Sequence, residues 1–425
     1  MDKRAMLIGP AERRVRKVSD EELSGKNEGN TRVDRNKLTA FVYENEPIRM
    51  NRNNIDDFID RCVSAGASDI SIMSDSSPRV EILGTYYRAT RRLWTTPEVD
   101  EIMAEIYNSN NARTEINSLK ELDFAYEMVL KNGERQRFRV NITGCLADSP
   151  NGVEIAMRVL PRVTPSKKSV ALEDEVILPM MPRDGLVVIA GGTGHGKSTT
   201  MAAVIREHLI SNEKPVKITD IQHPIEYTFR DVLKSNKDSS SFMVQMGVGV
   251  NISSFDAGVR ASLRKKPNII SVGEARDSET ISASIEGSLT GHLVYTTTHA
   301  SSVGETVQRL LSRFSAGERD AKAIDLCSSL RFILVQALVE RSDIQGRIPI
   351  REYLRITERI RENLARKPAT EWPQYLTDEV NGKIEGANDE DVRRAMKDSA
   401  ISAYQEGKIS KANALALSRQ ISWSD

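Results

Sequence analysis

The chain has 425 residues, with 60 lysines and arginines balancing 60 aspartates and glutamates, so no overall field draws it to nucleic acid or to an anionic membrane. That length is enough for about two or three domains, each with its own core. No apolar run approaches a membrane span, the opening stretch MDKRAMLIGPAERR lacks the apolar centre of a signal peptide, and Cys62, Cys145 and Cys327 are too scattered for a disulfide framework or a zinc knuckle, so a cytoplasmic protein is expected.

Residues 1–46 mix charges with Ser, Asn and Gly and read as a mobile arm. Residues 47–162 read as a small α+β domain. Ile55, Phe58, Ile59 and Cys62 recur at helical spacing, Gly66 ends that helix, and residues 69–73 alternate as a half-buried strand. Pro78 and Gly84 bracket a strand over 80–83, and Val99, Ile102, Met103 and Ile106 mark one face of a helix over 96–107. Residues 122–129 and 137–142 pair as strands across a Lys131-Asn132-Gly133 turn, and 153–160 forms another strand. Pro161, Pro165 and the charged stretch that follows make a linker over 163–180.

From 181 to 356 strands alternate with helices, the pattern of a mostly parallel sheet covered on both faces. The apolar run 187–190 reads as a buried strand and leads into Gly191-Gly192-Thr193-Gly194-His195-Gly196-Lys197-Ser198-Thr199. The G-x-x-x-x-G-K-S spacing lets glycine backbone wrap a polyphosphate, with the positive end of a helix over about 198–210 aimed at the same anion. Lys197 can reach the β- and γ-phosphates of ATP, and the Ser198 hydroxyl is the expected ligand of the accompanying Mg2+. This is a nucleotide site.

Strands over 216–221, 269–272 and 293–297 and helices over 255–263 and 278–288 continue the alternation, and ligands in such sheets collect at the carboxyl ends of the strands. Past the first of these strands come Asp220, Gln222, His223 and Glu226, with Glu226 placed to join the metal shell through water. Past the second comes Glu274, the candidate for activating the attacking water, with a structural salt bridge to Arg276 or Arg264 as the plainer alternative. His292 precedes the third strand and His299 follows it; His299 is the better placed to sense a γ-phosphate or position water. Amphipathic helices are expected over 303–314 and 319–339 and a strand over 348–354. Residues 357–425 read as a helical appendage, with helices over 391–404 and 411–420.

The phosphate loop, ITDIQHPIEY, SVGEARD and TGHLVYTTTH stand in the order and rough spacing of the Walker A, Asp-box, Walker B and His-box motifs of the secretion ATPases of type II and type IV systems and pilus motors. GASDISI, LDFAYE and RFRVN resemble that family's N-terminal domain and GKISKANALALS its C-terminal helices, over roughly residues 50–420. NITGCL, GVRASLRKKP and GEARDSETISASIEGSLTGH are most similar to the DotB-type ATPases of type IVB secretion and their relatives in conjugal transfer of I-type plasmids.

The resemblance implies a RecA-like ATPase domain preceded by a smaller PAS-like α+β domain, in a homohexamer that hydrolyses ATP between the two. Such a motor lies in the cytoplasm, peripheral at the inner membrane, among the cytoplasmic and inner-membrane components of a secretion or conjugation apparatus; no direct nucleic-acid binding is expected. It also implies N-terminal-domain arginines that close on the phosphates, matched here by Arg139 in RFRVN and Arg158 in MRVLP, the plainer alternative being that each pairs with an acid of its own domain. Gln222-His223 and Lys266-Pro267-Asn268 depart from the acidic residues many members carry there. Two other readings stand beside this one: a pilus retraction motor, and a nucleotide-gated scaffold with little turnover.

Overall fold

The computed structural model describes residues 41–148, 150–211, 214–236, 239–384 and 392–418. Most of the expected N-terminal arm, the first residue of the helix expected over 391–404 and the last two of that over 411–420 lie outside them.

The first sheet is antiparallel, ordered β3-β2-β1-β6-β5-β4, from β1 (Asp69–Met73), β2 (Arg79–Ile82), β3 (Thr85–Arg88), β4 (Leu122–Val129), β5 (Arg135–Cys145) and β6 (Gly152–Val159). β1 alternates buried and half-buried residues because one face meets the helices Ile55–Ser64 and Thr96–Ile106. The second helix starts at a capping box in which Thr95 and Glu98 satisfy each other's orphan N–H groups. Phe58 lies edge-on to Trp94 at 4.8 Å, and Tyr43 is buried against Phe58, so packing begins before Ile55. β3 and the helix Ala112–Asn117 were not anticipated; β3 is an exposed edge strand with no burial alternation to reveal it.

The second sheet has the order β14-β13-β12-β7-β11-β10-β8-β9. β7 (Gly185–Ala190), β8 (Lys217–Gln222), β9 (Phe242–Gly247), β10 (Ile269–Val272), β11 (Leu293–Thr298) and β12 (Leu330–Glu340) run parallel; β13 (Arg347–Arg355) and β14 (Arg393–Arg394) are antiparallel additions at one edge. Every residue of β7 is buried, as a central parallel strand requires. Leu186, Val188 and Ala190 face the core under the helices Phe255–Leu263, Ser278–Leu289 and Val303–Leu311, while Val187 and Ile189 face the core under the helix Lys197–Ile210. Leu172, Val176, Ile177 and Met180, in the expected linker, are buried in this second core.

The expected helix over 319–339 is corrected by the structure. A helix occupies Ala316–Ser329, and the chain then becomes β12, beside β7. Phe332, Ile333, Leu334 and Val335 are all at most 1% exposed. A helix on the sheet would have buried one stripe of this run, whereas a strand with both faces covered buries all four, at about 1.5–3 kcal/mol each. The helices Glu358–Ala365 and Trp372–Val380 complete the first of these cores, and Met396–Gln405 and Lys411–Ser418 cover β13 through Ala400, Ala403, Ala414 and Ile350. No helix among the described residues is long and apolar enough to cross a membrane.

His208, on the helix Lys197–Ile210, is buried against Tyr295, with Nε2 and the phenol oxygen 2.7 Å apart. The Tyr295 hydroxyl donates to the Met180 carbonyl at 2.7 Å, so His208 supplies the proton of the other bond. Burial pushes the imidazole down to about 4 from 6.5. The unfolded chain therefore takes up a proton as pH falls through 6.5 while the folded chain does not until about 4, and stability is lost across that window. Replacing His208 with Gln should shrink the stability difference between about pH 7 and pH 5, measured by urea unfolding, by about 2 kcal/mol. An unchanged difference would show that His208 does not carry this linkage.

Candidate functional site

β7 ends at Ala190 in the middle of the sheet, between β11 and β12. The chain turns out of the sheet at Gly191, where φ is +152° and a Cβ would lie 2.3 Å from the Gln336 carbonyl oxygen. Only glycine fits. Gly196, at φ +75°, caps the helix Lys197–Ile210, so its free N–H groups face the loop. The Lys197 ammonium donates to the Gly191 and Gly192 carbonyls, each at 2.9 Å, and its pKa is lowered by burial, with Glu274 and Glu226 opposing.

Neighbouring strands deliver the other groups to the same end of the sheet. β10 and β11 are parallel with Val272 opposite Thr296, so Glu274 and His299, just past their ends, come together with Oε1 and Nε2 3.4 Å apart. Burial lowers the His299 pKa, as does Lys197, so the imidazole stays neutral at neutral pH. The Thr297 hydroxyl donates to the Gly273 carbonyl at 2.6 Å and steadies the turn carrying Glu274. Past β8, half-buried Glu226 lines the same small hollow as Ser198, and the Tyr227 hydroxyl reaches Thr199 at 3.1 Å. Burial raises the Glu226 pKa, and Ser198, Arg139, Arg158 and Lys197 each pull it down.

Gln222 acquires a definite orientation from Asp220, two residues earlier on the same face of β8. Its Nε2 donates to the buried Asp220 carboxylate at 2.8 Å, and Gln245 on β9 donates to the other oxygen at 2.9 Å. The Gln222 amide oxygen is thereby turned toward Gly273, where a Cβ would lie 2.7 Å from it. Ser198, Glu226 and this amide thus offer oxygen donors only, a set suited to a hard cation such as Mg2+.

The far wall of the cleft comes from the first sheet. Arg139 and Arg158 are register partners on β5 and β6. Like charges directly opposite repel, and each arginine is held by an acid of its own sheet. Arg139 Nη2 lies 2.8 Å from Asp123, and Arg158 Nε lies 2.9 Å from Asp69. Both still line a cleft of about 470 Å3 together with Thr193, Gly194, Gly196, Lys197, Ser198, Thr199, Glu226, Glu274 and His299. The His195 ring folds over Gly192. Arg276 packs over the Phe255 ring at 6.0 Å, and His292 hydrogen-bonds within its own turn to the Gly287 carbonyl.

Several contributors escaped the sequence reading. Gln336 donates to the His195 carbonyl at 2.7 Å, Gln245 supports Asp220, and Arg347 reaches the Gly194 carbonyl at 3.4 Å. Gln336 had a visible signal: it is the lone polar residue of an otherwise apolar run over 332–339.

A RecA-like phosphate-loop domain preceded by a smaller α+β domain, with the loop opening into a cleft they share, is the architecture of a secretion-type ATPase. Residues 127–395 match the family described as Type II/IV secretion system protein, and the chain belongs to that family. It is 31% identical over 303 residues to the uncharacterized protein YggR of Escherichia coli K12, covering 71% of this chain and 86% of that one. Among solved structures it is similar to the ATPase DotB of Legionella pneumophila, at 33% identity and TM-score 0.74, covering 88% of this chain and 98% of that chain. It is similar also to the pilus retraction motor PilT with bound ADP, at 27% identity and TM-score 0.70, covering 85% and 96%.

The close approach at Gly191 is directly testable. Gly191→Ala should weaken ADP binding, read by titration calorimetry, by at least about tenfold, because the loop must shift to relieve both the overlap and the strained φ. Parental affinity would show that the loop tolerates a different exit from β7.

Proposed function

We propose that this chain hydrolyses ATP with Mg2+ in the cleft between its two sheets, as a homohexamer that powers type IVB-like secretion or conjugal transfer. The observation that carries the reading is the convergence of Lys197, Ser198, Glu226, Glu274 and His299 on one cleft with Arg139 and Arg158 on its opposite wall. The loop N–H groups and Lys197 bind and orient the β- and γ-phosphates. Ser198, Glu226 and the Gln222 oxygen would hold Mg2+, which screens the phosphate charge when bound. Glu274 orients the water that attacks the γ-phosphorus and takes its proton as the bond to ADP breaks; neutral His299 positions Glu274. Arg139 and Arg158 exchange their aspartates for the γ-phosphate when the cleft closes, coupling hydrolysis to domain movement.

The greater likeness to DotB supports secretion or conjugation over pilus retraction, which the likeness to PilT keeps as a second reading. The Glu274–His299 pair supports turnover over a silent scaffold. In this reading the motor works in the cytoplasm, against inner-membrane components of its apparatus.

Steady-state phosphate release with Mg2+ tests the assignment. The parent should turn over. Lys197→Ala should lose most activity together with ATP binding, and Glu274→Gln should lose about a hundredfold or more while still binding ATP. Parental hydrolysis by Glu274→Gln would remove Glu274 from the chemistry, and an inactive parent in its assembled form would favour the scaffold.

A further inference from the structure

Gln336 is 3% exposed, so its amide must find partners inside the protein. Nε2 donates to the His195 carbonyl at 2.7 Å, and Oε1 accepts from the Thr200 hydroxyl at 3.0 Å and from Arg351 Nε at 2.8 Å. His195 lies just before the glycine that caps the helix and Thr200 lies in its first turn. One side chain on the neighbouring strand therefore grips the phosphate loop on both sides of Lys197, Ser198 and Thr199.

Arg351 sits directly opposite Gln336 in the β12–β13 register and is 8% exposed. The rest of its guanidinium donates to the carbonyls of Val170, at 2.5 Å, and Ala171. These hydrogen-bond partners are all neutral. Burial pushes the guanidinium down to about 10, with Glu173 opposing, so the cation depends on keeping its ring of oxygens. The two carbonyls belong to the connector that leads from β6, the strand carrying Arg158, into the second core, where Leu172 is buried. That connector is folded into a turn by the bond from Leu172 N to the Lys167 carbonyl at 2.8 Å. An unbroken series of hydrogen bonds thus joins the connector between the two sheets to the loop that meets the phosphates.

We propose that Gln336 and Arg351 are positioning residues that make the seating of the connector and the phosphate affinity of the loop mutually dependent. The proposal rests on the reading of the loop as a nucleotide site. Linkage makes the effect reciprocal: if a seated connector favours the binding-competent loop, bound nucleotide tightens the connector.

Gln336→Glu separates this role from simple packing. Glutamate keeps both acceptor contacts and gives the buried guanidinium a counter-charge, so folding is retained. It loses the one donor to the His195 carbonyl and sets an anionic oxygen against it. In the full-length chain, Gln336→Glu should have a melting temperature no lower than the parent and an ADP Kd raised at least about tenfold. Hydrogen exchange gives the second readout. ADP should slow amide exchange in residues 166–172 of the parent, and this response should vanish in Gln336→Glu and shrink in Arg351→Lys, whose single ammonium cannot span all three acceptors. Parental ADP affinity in Gln336→Glu, or an undiminished response of the connector to ADP in both variants, overturns the relay while leaving the nucleotide site intact. A parent that binds no ADP overturns both.

Discussion

The backbone of Gly191 passes so close to the carbonyl of Gln336 that no side chain can stand between them, and this contact sets where the phosphate loop leaves the sheet. Because β7 lies between two parallel neighbours, the exit opens onto the carboxyl ends of the strands, where the polar residues after β8, β10 and β11 also emerge. Glu226, Glu274 and His299 come from distant parts of the sequence and meet there as a consequence of parallel order. Gln336 then holds the loop from outside with one amide, and Arg351 holds Gln336.

The second constraint is electrostatic. The cleft gathers Lys197, Arg139 and Arg158 on one side of the balance and Glu226 and Glu274 on the other, and burial raises the cost of every charge left unmatched. Asp69 and Asp123 steady the arginines within their own sheet. These pairs are partly exposed, so each contributes little to stability and can be exchanged for a phosphate at small cost. A neutral chain overall is compatible with this arrangement because the site needs local charge, not a global field.

Much of this was legible in the residues. The strand Asp69–Met73 and the helix Phe255–Leu263 follow their periodicity, since each meets one well-defined core surface, and the strand Ile269–Val272 is marked by its short apolar run. Periodicity failed at 330–340, where an apolar run buried on both faces of a sheet looks the same as a buried helix until its neighbours are known. It also missed β9, whose half-buried pattern is weak, and with β9 went Gln245. The presence of Gln222 in place of an acid read as a loss at the metal shell. Its meaning depends on Asp220, which shares its face and turns the amide oxygen toward Gly273. Motif spacing placed the glycine-rich loop between β7 and the helix Lys197–Ile210, as the structure has it, but hydrogen-bonded supports such as Gln336 and Arg351 are defined by contacts between residues far apart in sequence.

The central claim is that the nucleotide is worked between two domains, with the first sheet reading the γ-phosphate. Comparing ADP affinity with ATP turnover in Arg139→Ala tests it most directly, since the contact in question is made only to the γ-phosphate in the closed cleft. Turnover should fall at least about tenfold while ADP affinity stays within about twofold of the parent. Equal loss of ADP and ATP binding, or parental turnover, would contradict it.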